Sequence, residues 1–239
     1  MVAALLASGV VLEVQGSFRL GSPSGELFLA PSARRLVAYL ALQERPSARR
    51  QVARSLWPDA DEDRAAASLR TAVWRSQAAG VALIETTRTH LRLASGVGVD
   101  LRESVELARR VLDPSVDLAA GSLEIGPGPF CRGELLADWD EPWILRERRR
   151  VRDLMLNALE QLAARLLSKH RYGEAIEAAH AAIRMAPLRE SAYRLLLRAH
   201  LSAGNAGEAA ETYATWREIA KRELDLEPSH EMRSLLVGG

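Results

Sequence analysis

The sequence predicts an α+β N-terminal domain followed by an all-α domain built of helical repeats. Apolar and polar residues alternate near the N-terminus, as they do in strands. Three amphipathic stretches then follow one another, and two segments of the C-terminal half repeat with a spacing of 34 residues. We place the domain boundary after residue 97, which gives domains of residues 1–97 and 98–239.

The first domain is predicted to begin with strands and two helices. The segment VLEVQGSFRL alternates in polarity and is followed by the turn GSPSGE, which together indicate a β-hairpin or small sheet. The segment PSARRLVAYLALQERP has the apolar spacing of a helix, and we expect Ser32 to be its N-cap. A second short helix is expected in SARRQVARSLWPD, opened by Ser47 and ended before Pro58.

A third helix over residues 63–79 and a hairpin are predicted to complete the first domain. In the segment VALIETTRTHLRLA, two short apolar runs flank the tip TTRTH, which indicates the hairpin. Strands, three helices and a final hairpin, in this order, are typical of a winged helix-turn-helix with an N-terminal sheet. In such a domain a recognition helix enters the major groove of DNA.

The second domain is predicted to be almost entirely helical. Aligned 34 residues apart, LSKHRYGEAIE (residues 167–177) and LSAGNAGEAAE (residues 201–211) share residues such as Ala175 and Ala209. This period is that of the tetratricopeptide repeat, in which paired helices pack closely and stack to leave a concave face. The pattern predicts the architecture of the domain but no particular ligand.

The third helix has two faces of different character. On a helical wheel, Leu69 lies among Ala65, Ala66, Val73 and Ser76, and we expect this side to be buried. The opposite side carries small residues and one tryptophan, with arginines at its margins.

This second face suits a DNA major groove. Small side chains permit close approach, a threonine methyl can meet a thymine methyl, and arginine reaches guanine edges or phosphates. An ordinary solvated face with surface arginines is the alternative, but the helix directly precedes a hairpin with basic residues near its tip. The predicted DNA-contact residues are Arg64, Ala67, Arg70, Thr71, Trp74, Arg75, Arg88 and His90.

Four acidic residues surround the start of this helix, at positions 59, 61, 62 and 63. Acids at a helix N-terminus satisfy free N–H groups and interact favourably with the helix dipole, although they repel phosphate. They are expected at the edge of the DNA face, in a loop that could touch a protein bound beside it on the DNA.

Composition and charge exclude several classes of protein. Hydrophobic residues make up 48% of the 239 residues, which is ample for packed cores. The single cysteine, Cys131, excludes a disulfide framework and fits a reduced thiol in a cytoplasmic protein. No apolar run reaches the roughly 20 residues of a membrane span. The net charge is +4 over residues 1–97 and −3 over residues 98–239, which suits an anion-binding head on an acidic, protein-binding body, with a charge asymmetry of no functional meaning as the alternative.

Enzymatic and metal-dependent functions find no support in the sequence. The five histidines lack metal-ligand spacing, and GPGPFCRGE lacks the lysine and hydroxyl residue of a phosphate loop. No serine or cysteine stands in an arrangement typical of a nucleophile and its base. We therefore predict that the chain is not an enzyme and needs no metal or cofactor.

Two further features of the C-terminal domain leave alternatives open. Trp139 and Trp143 are four residues apart and are expected to pack against the first domain, with a ligand cage as the alternative. The basic run RERRRVR at residues 146–152 fits a solvated helix face, a second DNA contact or an interdomain ion-pair surface.

A family resemblance is carried by segments spread over residues 10–235, namely FLAPSARRLVAYLAL, ARSLWPD, AAASLRTAV, VDLRE, GELLADWDEPW, LRERRRVR, APLRESAYRLLLRAHLSAGNAGEAAETYATWREI and ELDLEPS. These segments resemble the Streptomyces antibiotic regulatory proteins (SARP). This family joins an OmpR-type winged helix to a bacterial transcriptional activator domain. The resemblance implies a cytoplasmic, nucleoid-associated activator that binds direct repeats in promoter DNA as a dimer and recruits RNA polymerase, often through the sigma factor.

The chain departs from the family pattern in the presumed DNA-binding surface. The third helix of the family usually continues Ser-Arg-Leu-Arg, where this chain has Trp-Arg-Ser-Gln at residues 74–77, and Thr89-His90 replaces the usual Gly-Tyr of the wing. Trp74 either faces the DNA or packs under the wing. These changes motivate a second hypothesis, a ligand-sensing or protein-interaction module of helical repeats whose winged-helix head has weak DNA affinity.

Overall fold

The computed structural model of the chain describes residues 9–77, 80–116 and 126–237. The chain divides into two compact units. The first comprises Met1–Glu103 and Gly133–Arg150, and the second comprises Ser104–Arg132 and Val151–Gly239. A segment from the middle of the sequence therefore belongs to the same unit as the N-terminal strands and helices.

The predicted strands and helices of the first unit are present in the predicted order, together with two short strands that were not predicted, and the α+β class is confirmed. Two further helices, α4 (Asp100–Leu112) and α5 (Pro142–Ser168), begin in this unit and continue in the second. The preceding elements are β1 (Val10–Glu13), β2 (Arg19–Ser22), β3 (Gly25–Glu26), α1 (Pro31–Ala41), β4 (Ser47–Ala48), α2 (Arg49–Leu56), α3 (Glu62–Gln77), β5 (Ile84–Thr86), β6 (His90–Leu93) and β7 (Val97–Val99).

The N-terminal sheet has the strand order β3-β2-β1-β7. β1 and β2 form the predicted antiparallel hairpin, in which Leu12 lies opposite Leu20. β7 pairs with the other edge of β1 in the parallel direction, with Val99 beside Leu12. These three side chains are at most 3% exposed, so the apolar residues of the sheet form part of a packed core.

The buried carboxylate of Asp100 joins the end of β1 to the start of α4. Its Oδ1 accepts hydrogen bonds from the backbone N–H groups of Val14 at 3.0 Å and Leu101 at 2.7 Å. Its Oδ2 accepts one from the N–H of Gln15 at 3.0 Å. Asp100 is only 4% exposed, so these contacts replace the water that the carboxylate lost on burial.

The predicted N-cap of α1 is wrong. The helix begins at Pro31 with Ala30 as its N-cap residue, so Ser32 lies inside the first turn. Proline is favoured at the first helical position because its φ angle already suits the helix and because no N–H is needed there. The side chain of Ser32 is thereby left to contact another helix.

The predicted start of α2 is also wrong. Ser47 does not open the helix, because it forms β4 together with Ala48 and pairs with Leu91 of β6. The backbone N–H of Arg49, the first residue of α2, donates to the carbonyl of Thr89 at 2.9 Å. These two contacts attach the start of α2 to the hairpin of β5 and β6, and the resulting sheet has the order β4-β6-β5.

Trp139 and Trp143 pack into the core of the first unit, as predicted. They are 8% and 4% exposed, and their rings meet edge to face with centroids 6.3 Å apart. Trp139 stacks on Phe18 at 6.1 Å, and Trp143 contacts Tyr39 at 5.3 Å. Aromatic packing therefore holds the segment 133–150 against α1 and against Phe18, which directly precedes β2, although both are distant in sequence.

The second unit is helical, as predicted. Beside parts of α4 and α5, it contains a single 3-10 turn at Gly128–Phe130 within the described residues, and four helices follow α5. These are α6 (Tyr172–Met185), α7 (Glu190–Ser202), α8 (Ala206–Leu224) and α9 (His230–Val237).

The sequence repeat corresponds to equivalent helices. α6 and α8 begin at Tyr172 and Ala206, which are the same distance apart as the repeated segments. Ala175 and Ala209 occupy matching positions and are both fully buried, as expected where small side chains let neighbouring helices approach. The predicted tetratricopeptide-like architecture is therefore confirmed.

Among the described helices, none combines the length and hydropathy needed to cross a membrane.

Candidate nucleic-acid interface

The inner face of α3 is anchored in the first unit. Its fully buried residues are Ala65, Leu69, Ala72 and Ser76. Ala72 is buried although it was not predicted on this side, and the predicted Ala66 and Val73 are only half-buried. The buried face of α3 is therefore rotated slightly from the predicted one. Ser76 donates its hydroxyl hydrogen to the carbonyl of Val73 at 2.7 Å, which satisfies this polar group within the core.

The opposite face of α3 is open to solvent. Ala67, Thr71 and Trp74 are all exposed, and the exposed fraction of Trp74 is 70%. The indole of Trp74 therefore points outward and does not pack under the hairpin. The hydroxyl of Thr71 donates to the carbonyl of Ala67 at 3.1 Å, which leaves the threonine methyl on the outer surface.

Three arginines surround this exposed face. Arg64 lies 3.4 Å from Asp61, measured from Nε to Oδ2, and its side chain is 83% exposed. Arg75 donates from Nη1 to the hydroxyl oxygen of Ser32 at 3.3 Å. Arg70 is exposed on the other margin. Contacts this long between exposed groups contribute little free energy, so these guanidinium groups remain accessible to a phosphate or a base edge.

The hairpin of β5 and β6 presents Arg88 and His90 at an exposed tip. The turn is closed by a hydrogen bond from the N–H of Thr87 to the carbonyl of His90 at 2.9 Å. The N–H of His90 donates in return to the hydroxyl oxygen of Thr87, also at 2.9 Å. Arg92, which lies below the tip, is occupied by an ion pair in which its Nε donates to Glu85 at 2.6 Å. The backbone hydrogen bond from Ser95, followed by the bond from Arg92, lowers the pKa of Glu85.

Two of the four acidic residues at the start of α3, Asp61 and Glu62, are engaged within the protein. Oδ1 of Asp61 accepts the backbone N–H of Arg64 at 2.9 Å, which confirms the predicted capping role for this residue. Glu62 accepts a hydrogen bond from Nη2 of Arg50 at 2.8 Å, and this bond lowers the pKa of the glutamate. Local pairing therefore reduces the repulsion that these carboxylates exert on a phosphate.

Sequence reasoning missed a second group of arginines. A groove of about 650 Å³ runs between α2 and α3, and its lining includes Arg49, Arg50, Arg54 and Arg70. Arg50 and Arg54 are four residues apart, so their position on one face of α2, next to Arg49, was visible in the sequence. The described residues hold no cluster of three or more histidine, cysteine, aspartate or glutamate side chains arranged for a metal ion.

Comparison with known proteins agrees with this architecture. The family model described as bacterial transcriptional activator domain matches residues 99–236. No curated protein matches the chain. The solved structure of Mycobacterium tuberculosis EmbR, described as a complex with a low-affinity phosphopeptide, is similar to the chain with a TM-score of 0.71 and 19% sequence identity. The similarity covers 95% of this chain but only 64% of the EmbR chain.

These comparisons confirm the fold predicted from the sequence. The similarity to EmbR extends over a winged-helix region followed by a helical domain, and at its low identity it is evidence of the fold alone. The family model covers more than half of the chain and describes regulators of transcription rather than enzymes. The chain therefore belongs to the bacterial transcriptional activator domain family, with the SARP-type architecture that its sequence segments resemble.

Proposed function

We propose that the chain is a sequence-specific transcriptional activator whose first unit binds double-stranded DNA. The observation that carries this proposal is the outer face of α3, where arginines surround exposed Thr71 and Trp74. The hairpin tip adds Arg88 and His90, which suits contact with a neighbouring groove or the phosphate backbone. The proposed contact residues are those predicted from the sequence: Arg64, Ala67, Arg70, Thr71, Trp74, Arg75, Arg88 and His90.

Electrostatics supports DNA as the partner of this surface. Residues 1–97 carry a net charge of +4 although the whole chain carries only +1. Asp61 and Glu62 are engaged with nearby groups, which reduces their opposition to phosphate beside the arginines of α3. Cations of this kind release the counterions of DNA phosphates, which supplies a large share of binding free energy at low salt.

The proposed activity includes assembly with the transcription machinery. On the basis of the SARP resemblance, we expect the chain to bind direct repeats near promoters as a homodimer and to recruit RNA polymerase through the sigma factor. The helical second unit supplies the protein-binding surface of such an activator, and the complex acts at the nucleoid in the cytoplasm. The domain boundary after residue 97 remains part of this proposal.

A gel-shift and footprinting experiment tests the proposal. The purified full chain is incubated with DNA from its own gene neighbourhood at two salt concentrations. We expect a discrete footprint over two spaced repeats. We also expect the logarithm of the binding constant to fall with the logarithm of the salt concentration, with a slope of roughly −0.9 per phosphate contact. If no shift forms even at low salt, the first unit does not read DNA.

One observation favours a second candidate function, a ligand-sensing or protein-interaction module with weak DNA affinity. Arg64 and Arg75 both have partners within the protein, Asp61 and Ser32, and must leave them to bind a phosphate fully. The salt series separates the two functions. A weak interaction without a discrete footprint would favour the second, and attention would then turn to partners of the helical unit.

A further inference from the structure

The centre of the exposed α3 face is apolar, although its margins are charged. Ala67 offers a methyl group, and Thr71 offers another because its hydroxyl is turned back onto the Ala67 carbonyl at 3.1 Å. Trp74 continues the same face with a ring that is 70% exposed. An indole in this position lies outside the core and carries a large apolar surface that water must hydrate.

The flanking charges specify what kind of surface can cover this apolar ridge. Arg64 and Arg75 lie at one margin and Arg70 lies at the other, which favours a polyanion that fits between them. The major groove of DNA meets this requirement, because phosphates line both of its edges. Its floor displays one purely apolar group, the 5-methyl group of thymine.

We propose that Ala67, Thr71 and Trp74 form a thymine-reading ridge, with Trp74 as its main specificity-determining residue. This inference rests on the proposed DNA-binding function and specifies which base it prefers. Burying the thymine methyl against the indole removes apolar surface from water on both partners. A cytosine at the same position has no such methyl group and presents an amino group to the ring instead, so it binds less well.

The test begins with selection of binding sites from random-sequence DNA by the full chain. We expect thymines to be enriched at positions that the α3 footprint covers. Each such thymine is then replaced by deoxyuridine, which removes only the 5-methyl group and keeps the hydrogen-bonding pattern. Each replacement that faces Trp74 is expected to weaken binding about fourfold, the effect of one buried methyl group.

Three variants assign the effect to the indole. Trp74→Ala is expected to lose the response to deoxyuridine, whereas Trp74→Phe keeps an apolar ring and most of that response. Arg88→Ala is the matched control, because it weakens binding from the hairpin tip and leaves the response to deoxyuridine unchanged. Since Trp74 and Arg88 are both exposed, all three variants are expected to fold, and circular dichroism checks this.

The outcomes separate failure of this inference from failure of the proposed function. Three outcomes would each overturn the thymine-reading ridge and leave DNA binding intact. The selected sites could lack thymine under α3, deoxyuridine could leave the affinity unchanged, or Trp74→Ala could lose as much affinity on deoxyuridine replacement as the wild type does. If the wild-type chain selects no site even at low salt, the DNA-binding function fails and this inference fails with it.

Discussion

The guanidinium group of Arg75 donates a hydrogen bond to the hydroxyl oxygen of Ser32 over 3.3 Å, which links the last turn of α3 to the first turn of α1. Arg75 is exposed, so the contact orients its side chain without burying its charge. Ser32 can make this contact because Pro31 starts the helix and leaves the serine side chain unused as a cap.

We predict that Arg75→Ala weakens binding to the cognate DNA site by roughly 1–3 kcal/mol, the usual scale for one good base contact. The loss is expected to be much smaller on unrelated DNA, since phosphate contacts elsewhere remain. Fluorescence anisotropy at a fixed salt concentration measures both affinities.

Ser32→Ala is the matched control for this substitution. It removes the anchor of Arg75 and keeps the guanidinium group, so we expect an effect of well under 1 kcal/mol, the range of exposed polar contacts. Equal binding of the cognate site by wild type and Arg75→Ala would show that the proposed placement of α3 on DNA is wrong.

Arg88 at the hairpin tip is expected to contact a phosphate. The substitution Arg88→Ala should therefore weaken specific and nonspecific DNA binding alike and reduce the steepness of the salt dependence by roughly 0.9. Arg92→Ala serves as the control, because the guanidinium of Arg92 is already bound to Glu85 at 2.6 Å. A salt series of binding constants distinguishes the two variants, and identical slopes for wild type and Arg88→Ala would remove the tip from the interface.

The elements with strong local signals were predictable from the sequence. α3 and the hairpin after it followed from apolar spacing and turn residues, and the outward position of Thr71 followed from the same helical wheel. The 34-residue repeat likewise located equivalent helices, because Ala175 and Ala209 mark the same close approach twice. In each case, neighbours in sequence determine the structure.

The features that sequence reasoning missed depend on partners distant in the chain. Ser47 has the residue type of an N-cap, but pairing with Leu91 of β6 draws it into a strand. β7 pairs in parallel with β1, and the hydrogen bond from the N–H of Val14 to Asp100 joins the ends of the two strands. The exposure of Trp74 could not be predicted either, because a tryptophan looks the same in the sequence whether or not a hairpin covers it.

Asp100 is predicted to be a stability determinant of the first unit. Asp100→Ala leaves the N–H groups of Val14 and Gln15 without their acceptor in a buried region, so we expect the free energy of unfolding to fall by about 3 kcal/mol. Asn retains one acceptor oxygen and should cost less. Urea denaturation followed by circular dichroism measures the change, with the exposed Asp153→Asn as a control expected to lie within about 0.5 kcal/mol of wild type. A stable Asp100→Ala protein would contradict this role.

Glu190 joins three helices of the second unit. Its Oε2 accepts hydrogen bonds from the indole N–H of Trp216 on α8 at 3.1 Å and from the backbone N–H of Ser229 before α9 at 3.0 Å. Nη1 of Arg194 lies 3.6 Å from Oε1, which also accepts the Ser229 hydroxyl. Burial by itself raises the pKa of Glu190, but the hydrogen bonds from Ser229 and Trp216 and the charge of Arg194 outweigh it and lower the pKa.

This lowered pKa predicts an acid-sensitive contribution to stability. The carboxylate of Glu190 stabilises the fold fully above the pKa of an unfolded glutamate, and the contribution is lost as the pH falls through the lower pKa of the folded state. We expect Glu190→Gln to destabilise α7–α9 by roughly 1–2 kcal/mol at neutral pH, and this difference should shrink in acid. Amide hydrogen exchange of these helices measures both effects, with the exposed Glu177→Gln as the control. A difference between wild type and Glu190→Gln that persists unchanged in acid would mean that packing of the side chain, rather than its charge, holds the three helices together.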